Sequence, residues 1–112
     1  MAIVNLMRAV TECPECSLVG EFSISFEFGS VGHYGYRVGD RLSWSEPPIV
    51  GAPGWGRVLV RGDASDCPNC GPKSQLELVF GITIQDDRIA DVRPLRGPLP
   101  FVDCQEFVRL PG

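Results

Sequence analysis

The clearest pattern in the chain lies in residues 19–28, where polar and apolar residues alternate from Glu21 to Phe28. Every second side chain is large and apolar, and glutamates and serines fill most of the positions between them. The apolar members of the pattern are Phe22, Ile24, Phe26 and Phe28. A period of two is typical of a β-strand with one buried and one exposed face. The pattern therefore predicts a half-buried antiparallel strand.

A second strong pattern lies in the C-terminal half, where residues 76–85 are rich in leucine, isoleucine, valine and phenylalanine. Asp86 and Asp87 follow and are typical of a tight turn, and strand character resumes in residues 88–95. Together these segments predict a β-hairpin. The side chains expected to share its buried face are Ile82, Ile84, Ile89 and Val92.

Shorter stretches complete the prediction of the elements. Residues 36–44 have strand character that is interrupted at Gly39-Asp40, and residues 57–61 have it without interruption. Residues 45–56 contain several prolines and glycines, which predicts an extended loop. The tail, residues 101–110, is consistent with a final edge strand or a short helix, because its periodicity does not decide between them.

No segment shows a clean helical period over about 12 residues. We therefore expect an all-β protein of about six or seven strands, arranged as a small antiparallel sheet or barrel. The length of 112 residues fits one domain that spans residues 1–112.

Composition and charge narrow the classes of partner. The chain has a formal net charge of −4, and four metal-bound thiolates would make it more negative. Because nucleic-acid affinity depends on a basic surface that neutralises phosphates, we do not expect a nucleic-acid partner. No apolar run approaches the roughly 20 residues of a membrane span.

Residues 1–10 lack the basic leader of a secretory signal. We therefore expect a cytoplasmic protein. Disulfides are rare in that reducing compartment, so paired cysteines there are better explained by a metal.

The cysteines carry the most specific chemistry in the sequence. Two copies of Cys-Pro-x-Cys are present, Cys13–Cys16 and Cys67–Cys70, with residues 17–66 inserted between them. Each unit can fold as a tight turn that presents two sulfurs to one point, so that two units supply the ligands of a closed tetrahedral site. Closing a loop of that length costs roughly 3.5 kcal/mol, whereas structural Zn²⁺ sites yield on the order of 10–16 kcal/mol.

The doubled motif, with Gly71 after the second unit, resembles the knuckles of zinc-ribbon and rubredoxin-type proteins. The resemblance covers residues 13–16 and 67–71. It implies a structural Zn²⁺ whose ligands are Cys13, Cys16, Cys67 and Cys70. Ser17 is a departure, because it stands where the second unit has its glycine. The Phe-Glu-Phe-Gly run, residues 36–44 and the Cys-Pro-x-Cys-Gly unit are also similar to a group of small bacterial proteins, a similarity that implies no activity.

Two other uses of the cysteines remain open. The same four thiolates can hold iron in an electron carrier like rubredoxin, and each unit alone can cycle as a dithiol like that of glutaredoxins. The fifth cysteine, Cys104, has no partner motif and is expected to be a small buried hydrophobic residue. His33, the single histidine, is not needed as a ligand.

The sequence contains no signature of an active site, and a Cys₄ metal site has no open position for a substrate. We therefore expect a binding protein rather than an enzyme, for example an accessory or immunity-type module, with an unknown protein partner. Its candidate binding surface is formed by loop residues His33, Tyr34 and Trp55, because amphipathic aromatic side chains are favoured at recognition surfaces. Tyr36 and Trp44 are instead expected to belong to a strand and to the core.

Overall fold

The computed structural model describes residues 4–64, 67, 78–96, 101 and 107–110. Within these ranges all regular structure is β. The strands are β1 (Asn5–Glu12), β2 (Val19–Phe26), β3 (Gly29–Ser30), β4 (Tyr34–Arg37), β5 (Ile49–Val50), β6 (Arg57–Ala64), β7 (Leu78–Gln85), β8 (Arg88–Pro94) and β9 (Phe107–Arg109). The all-β prediction is confirmed. A helix that is long and apolar enough to cross a membrane is not found in the described ranges.

Seven strands form one open sheet in the order β4, β1, β2, β6, β7, β8, with β9 paired to the first half of β6. All neighbours are antiparallel except β1 and β4, which are parallel. The sheet does not close into a barrel. Its two ends are linked by a short irregular bridge, in which the Gly39 N–H donates to the Ile89 carbonyl at 2.6 Å and the Leu42 N–H donates to the Asp87 carbonyl at 2.9 Å.

The core lies on one face of this sheet and follows the predicted alternation. The four apolar residues of the first pattern are at most 2% exposed, and β2 occupies residues 19–26 of the predicted segment. The predicted hairpin is also confirmed, because Ile82 pairs with Val92 and Ile84 pairs with Ile89. Asp86 and Asp87 form its turn with positive φ angles of 50° and 65°.

Several elements differ from the expectations. Of the predicted strand over residues 36–44, only residues 36–37 lie in a strand, β4, because the chain turns at Gly39 with a φ of 100°. The predicted loop over residues 45–56 contains the short strand β5. Strand β1 was not predicted, because its inward side chains are Asn5, Met7 and Ala9 while Val10 is exposed, so that no apolar alternation marks it. In the tail, β9 pairs with β6 as an edge strand, and residues 102–106 of that prediction lie outside the described residues. The prediction of one domain over residues 1–112 stays a prediction.

Phe28 is the centre of an aromatic cluster at one end of the core. Its ring lies 5.4 Å from that of Trp44, 6.1 Å from that of Trp55 and 5.3 Å from that of Phe107. Gly51 closes over the same ring, and a Cβ there would collide with it. The cluster joins β9 and the loop before β6 to the end of β2.

Asn5 is a buried polar side chain that fixes the loop between β2 and β4. Its amide nitrogen donates to the Phe28 carbonyl at 2.9 Å. Its side-chain oxygen accepts from the Gly32 N–H at 2.9 Å and from the His33 N–H at 2.8 Å. The loop backbone thus obtains partners in a place that water does not reach, which is what buried polar groups require.

Replacing this amide tests its role directly. We expect Asn5→Leu to lower the free energy of unfolding by about 3 kcal/mol or more, because three backbone groups lose their partners and each costs roughly 1–3 kcal/mol. Urea unfolding measures the change. Ser23→Ala, on the exposed face of β2, should stay within about 0.5 kcal/mol, and an equal effect of the two variants would contradict the assigned role of Asn5.

Candidate metal centre

The first Cys-Pro-x-Cys unit forms the turn between antiparallel strands β1 and β2. The Cys13 N–H donates to the Leu18 carbonyl, and the Ser17 N–H donates back to the Cys13 carbonyl, both at 3.0 Å. Ser17 takes a positive φ of 65°, the conformation that glycine adopts most easily. Ser17, which departs from the motif, therefore occupies a turn position whose backbone conformation favours glycine.

Cys67 reaches this turn because of the pairing of β2 with β6. Strand β2 leads away from the turn, and β6 is antiparallel to it, with Phe26 paired to Gly62 and Ser25 to Asp63. Strand β6 therefore runs back toward the turn, and Cys67 follows its last residue, Ala64, by three positions. The sheet itself closes the long insertion that separates the two cysteine units.

The sulfurs of Cys13, Cys16 and Cys67 lie within 4.8 Å of one another, and those of Cys16 and Cys67 are 3.7 Å apart. A regular tetrahedral zinc site with Zn–S bonds of about 2.3 Å places its sulfurs about 3.8 Å apart. Three close cysteines with this spacing can bind a metal ion. Cys70 and Cys104 lie outside the described residues, so the four-cysteine ligand set stays a prediction.

The surroundings of Cys13 favour a protonated thiol until a metal arrives. Burial raises the pKa of the Cys13 thiol, and the neighbouring Cys67 and Cys16 side chains raise it further, while backbone N–H groups of Cys16 and Glu15 lower this pKa. The Glu15 N–H points at the sulfur from 3.4 Å, as expected of a group that stabilises a thiolate. A metal must displace the proton, so its affinity is expected to fall as the pH falls.

Arg96, two positions beyond the end of β8, holds the backbone of the first unit from outside. Its guanidinium donates to the carbonyls of Pro14 and Cys13 at 3.1 and 3.2 Å. It also donates to the Ser17 hydroxyl at 3.0 Å, and Glu12 lies 3.6 Å away. No motif marks this residue, because it is 83 positions from Cys13 in sequence, and sequence reasoning missed it.

The three residues of the predicted binding surface have different environments. Tyr34 is 70% exposed. The His33 ring lies 6.0 Å from that of Tyr36. Trp55 packs against the core instead, with Phe107 at 5.5 Å on one side and the Arg109 guanidinium at 4.8 Å over its ring.

Tyr36 and Trp44 are partly buried against the core, in agreement with the expected core position, but only Tyr36 lies in a strand. The binding role of His33, Tyr34 and Trp55 stays a prediction. Their environments nevertheless separate an exposed Tyr34 from a packed Trp55.

Comparison of the chain with protein-family models, with curated proteins and with solved structures found no match. The resemblance to zinc-ribbon knuckles and to small bacterial proteins therefore gains no support from relatives. The metal centre has to be argued from its own geometry.

The contacts of Arg96 predict a role in metal affinity. We expect Arg96→Gln to weaken Zn²⁺ binding about tenfold or more, because groups that orient the ligands of a metal typically contribute that much. Competition with a chromophoric chelator measures the change. Arg93→Gln is the matched control, since the Arg93 guanidinium contacts Asp91 at 2.7 Å instead, and equal affinity in the two variants would remove Arg96 from the site.

The environments of Trp55 and Tyr34 predict that substitution of Trp55 destabilises the protein, whereas substitution of Tyr34 hardly changes its stability. Trp55→Ala should lower the free energy of unfolding by about 2 kcal/mol or more, because it removes packing against Phe28 and Phe107. Tyr34→Ala should change it by less than about 0.5 kcal/mol. Urea unfolding of both variants tests this. An unchanged free energy of unfolding for Trp55→Ala would contradict the packed position of Trp55.

Proposed function

We propose that the protein binds one structural Zn²⁺ through Cys13, Cys16, Cys67 and Cys70, and that its activity is to bind a partner protein. The observation that carries the metal assignment is the convergence of three sulfurs from two distant segments, with a spacing of 3.7 Å between Cys16 and Cys67. Both Cys-Pro-x-Cys units lie in connections between antiparallel strands, the first between β1 and β2 and the second between β6 and β7. Cys70 belongs to the second unit by sequence.

Burial supports a structural rather than a catalytic metal. Cys13 is fully buried and Cys67 is 3% exposed, so a substrate has little access to an ion that they hold. A site closed by four thiolates has no open position for water or substrate. Such a metal contributes to folding free energy, because the site does not exist in the unfolded chain.

A role in binding rests on the outer face of the sheet. Val10 and Val19 are 69% and 67% exposed, and they lie diagonally across the β1–β2 pair, beside the first cysteine unit. Tyr34 is also exposed. Exposed apolar and aromatic side chains near a rigid scaffold are a feature of interaction surfaces.

The runner-up is an iron site that carries electrons, because four thiolates also suit iron. A cycling dithiol is less favoured. Reactive Cys-x-x-Cys pairs draw a lowered pKa from a helix N-terminus, whereas Cys13 and Cys16 lie in a turn between strands and the pKa of Cys13 is raised.

Metal analysis of the purified protein tests the proposal. We expect one zinc per chain and no visible absorption, and we expect a strong chelator or Cys67→Ser to lower the melting temperature by more than about 10 °C. Cys104→Ser, which also removes one thiol, is the control and should retain zinc. Iron with visible absorption would replace the zinc assignment, and an unchanged melting temperature after complete metal removal would end the structural role.

A further inference from the structure

A groove on the outer face of the sheet, between β1 and β4, has the features of a binding site. Its volume is about 380 Å³, and it lies on the side opposite the core. The residues that line it are Leu6, Met7, Arg8, Ser23 and residues 34–37. The groove is separate from the cysteine cluster.

An irregularity in strand pairing forms the groove. Leu6 pairs with Tyr34, but the next residue, Met7, pairs with Tyr36, so Gly35 is an extra residue between parallel strands. Bulges are rare in parallel pairs and often re-aim a side chain near a functional site. Here Tyr36 turns inward, with its ring 5.8 Å from that of Phe26, whereas Tyr34 stays exposed.

Gly35 keeps the groove open. Its φ of 95° is a conformation that residues with a side chain rarely adopt, and a Cβ at this position would meet nothing within 4 Å. The glycine is therefore required by the backbone conformation and not by crowding from the protein. The space beside it is free for a ligand.

Two arginines face each other across the groove. Arg8 and Arg37 are register partners on the adjacent strands, an arrangement of like charges that destabilises a sheet when nothing lies between them. Arg8 has a weak ion pair with Glu21 at 3.7 Å, and both of these side chains are more than half exposed. Among the described residues the guanidinium of Arg37 has no ion-pair partner within 4.0 Å, and the Asp40 carboxylate accepts from the Arg37 backbone N–H at 2.9 Å.

The chain as a whole is acidic. Against that background the register pair of Arg8 and Arg37 places two positive charges side by side at the groove, an arrangement that orients a partner of opposite sign.

We propose that this groove binds an acidic segment of the partner protein, with the Arg8 and Arg37 guanidinium groups taking up carboxylates beside the Tyr34 ring. This inference rests on the proposed function and names the chemistry of its partner. Arginine forks bind carboxylates through paired hydrogen bonds. Nucleic acid is the less favoured occupant, because its affinity depends on a basic surface that neutralises phosphates, and the net charge of −4 opposes a polyanion.

Binding of a fluorescein-labelled hexaglutamate peptide tests the groove. We expect measurable binding to the unaltered 112-residue protein at about 20 mM salt, where screening is weak, and loss of affinity by about tenfold or more in Arg8→Gln/Arg37→Gln. The control, Arg57→Gln/Arg93→Gln, removes the same charge from β6 and β8 and should stay within about twofold. Absence of peptide binding to the unaltered protein, or equal losses in both double variants, would overturn the proposal.

Two further measurements distinguish a nucleic acid from an acidic segment, and failure of the groove proposal from failure of the metal assignment. If a hexathymidylate binds more tightly than the peptide, and if this binding is lost in Arg8→Gln/Arg37→Gln, nucleic acid rather than an acidic segment would be the occupant of the groove. Zinc content and melting temperature are measured in every variant, and neither should change, because both arginines are exposed. Zinc without peptide binding overturns the groove alone, whereas peptide binding without zinc overturns the metal assignment alone.

Discussion

The convergence of Cys67 on the Cys13–Cys16 turn is the constraint on which the arrangement of the chain depends. It is prepared by the sheet before any metal binds, because the antiparallel pairing of β6 with β2 returns the chain to the end of the sheet where β2 began. Gly62 permits that pairing, since a Cβ there would collide with Ile24. Much of the roughly 3.5 kcal/mol needed to close the insertion is therefore met by strand pairing and core burial. A metal bound by these sulfurs would add a further link between the β1–β2 turn and Cys67, which already lie together.

The parts of the fold that could be predicted are those in which burial alternates with sequence position. Phe22 to Phe28 and the Ile82–Val92 hairpin carry their own signal, because each buries a row of large apolar residues on one face. Strand β1 lacks such a row. Its most buried polar residue, Asn5, lies inside because it forms hydrogen bonds with backbone groups of a loop. These partners come from the tertiary structure, so the local periodicity of the sequence does not indicate that Asn5 is buried.

The candidate metal site also has parts that could be predicted from the sequence and parts that could not. The two Cys-Pro-x-Cys units were recognisable because ligand chemistry fixes both residue type and spacing. Arg96 was not, because a side chain that holds backbone carbonyls can come from any part of the chain. Trp55 and Tyr34 resemble each other as loop aromatics in sequence, yet one is packed by Phe28 and Phe107 and the other is exposed. Their difference is set by residues that only folding brings near.

Strand β1 connects the two surfaces that function would use. Its alternate outward residues, Leu6 and Arg8, form the groove, and its end leads into Cys13, five residues or about 17 Å beyond Arg8. The same strand is paired along its whole length with β2, so the distance between groove and cysteine cluster is held by a hairpin and not by a flexible linker. Under the proposed function, a metal held by the cysteines would not need to touch a partner to affect binding. By fixing the end of the β1–β2 hairpin, it would limit the twist and fraying of the strands that carry Arg8 and its neighbours.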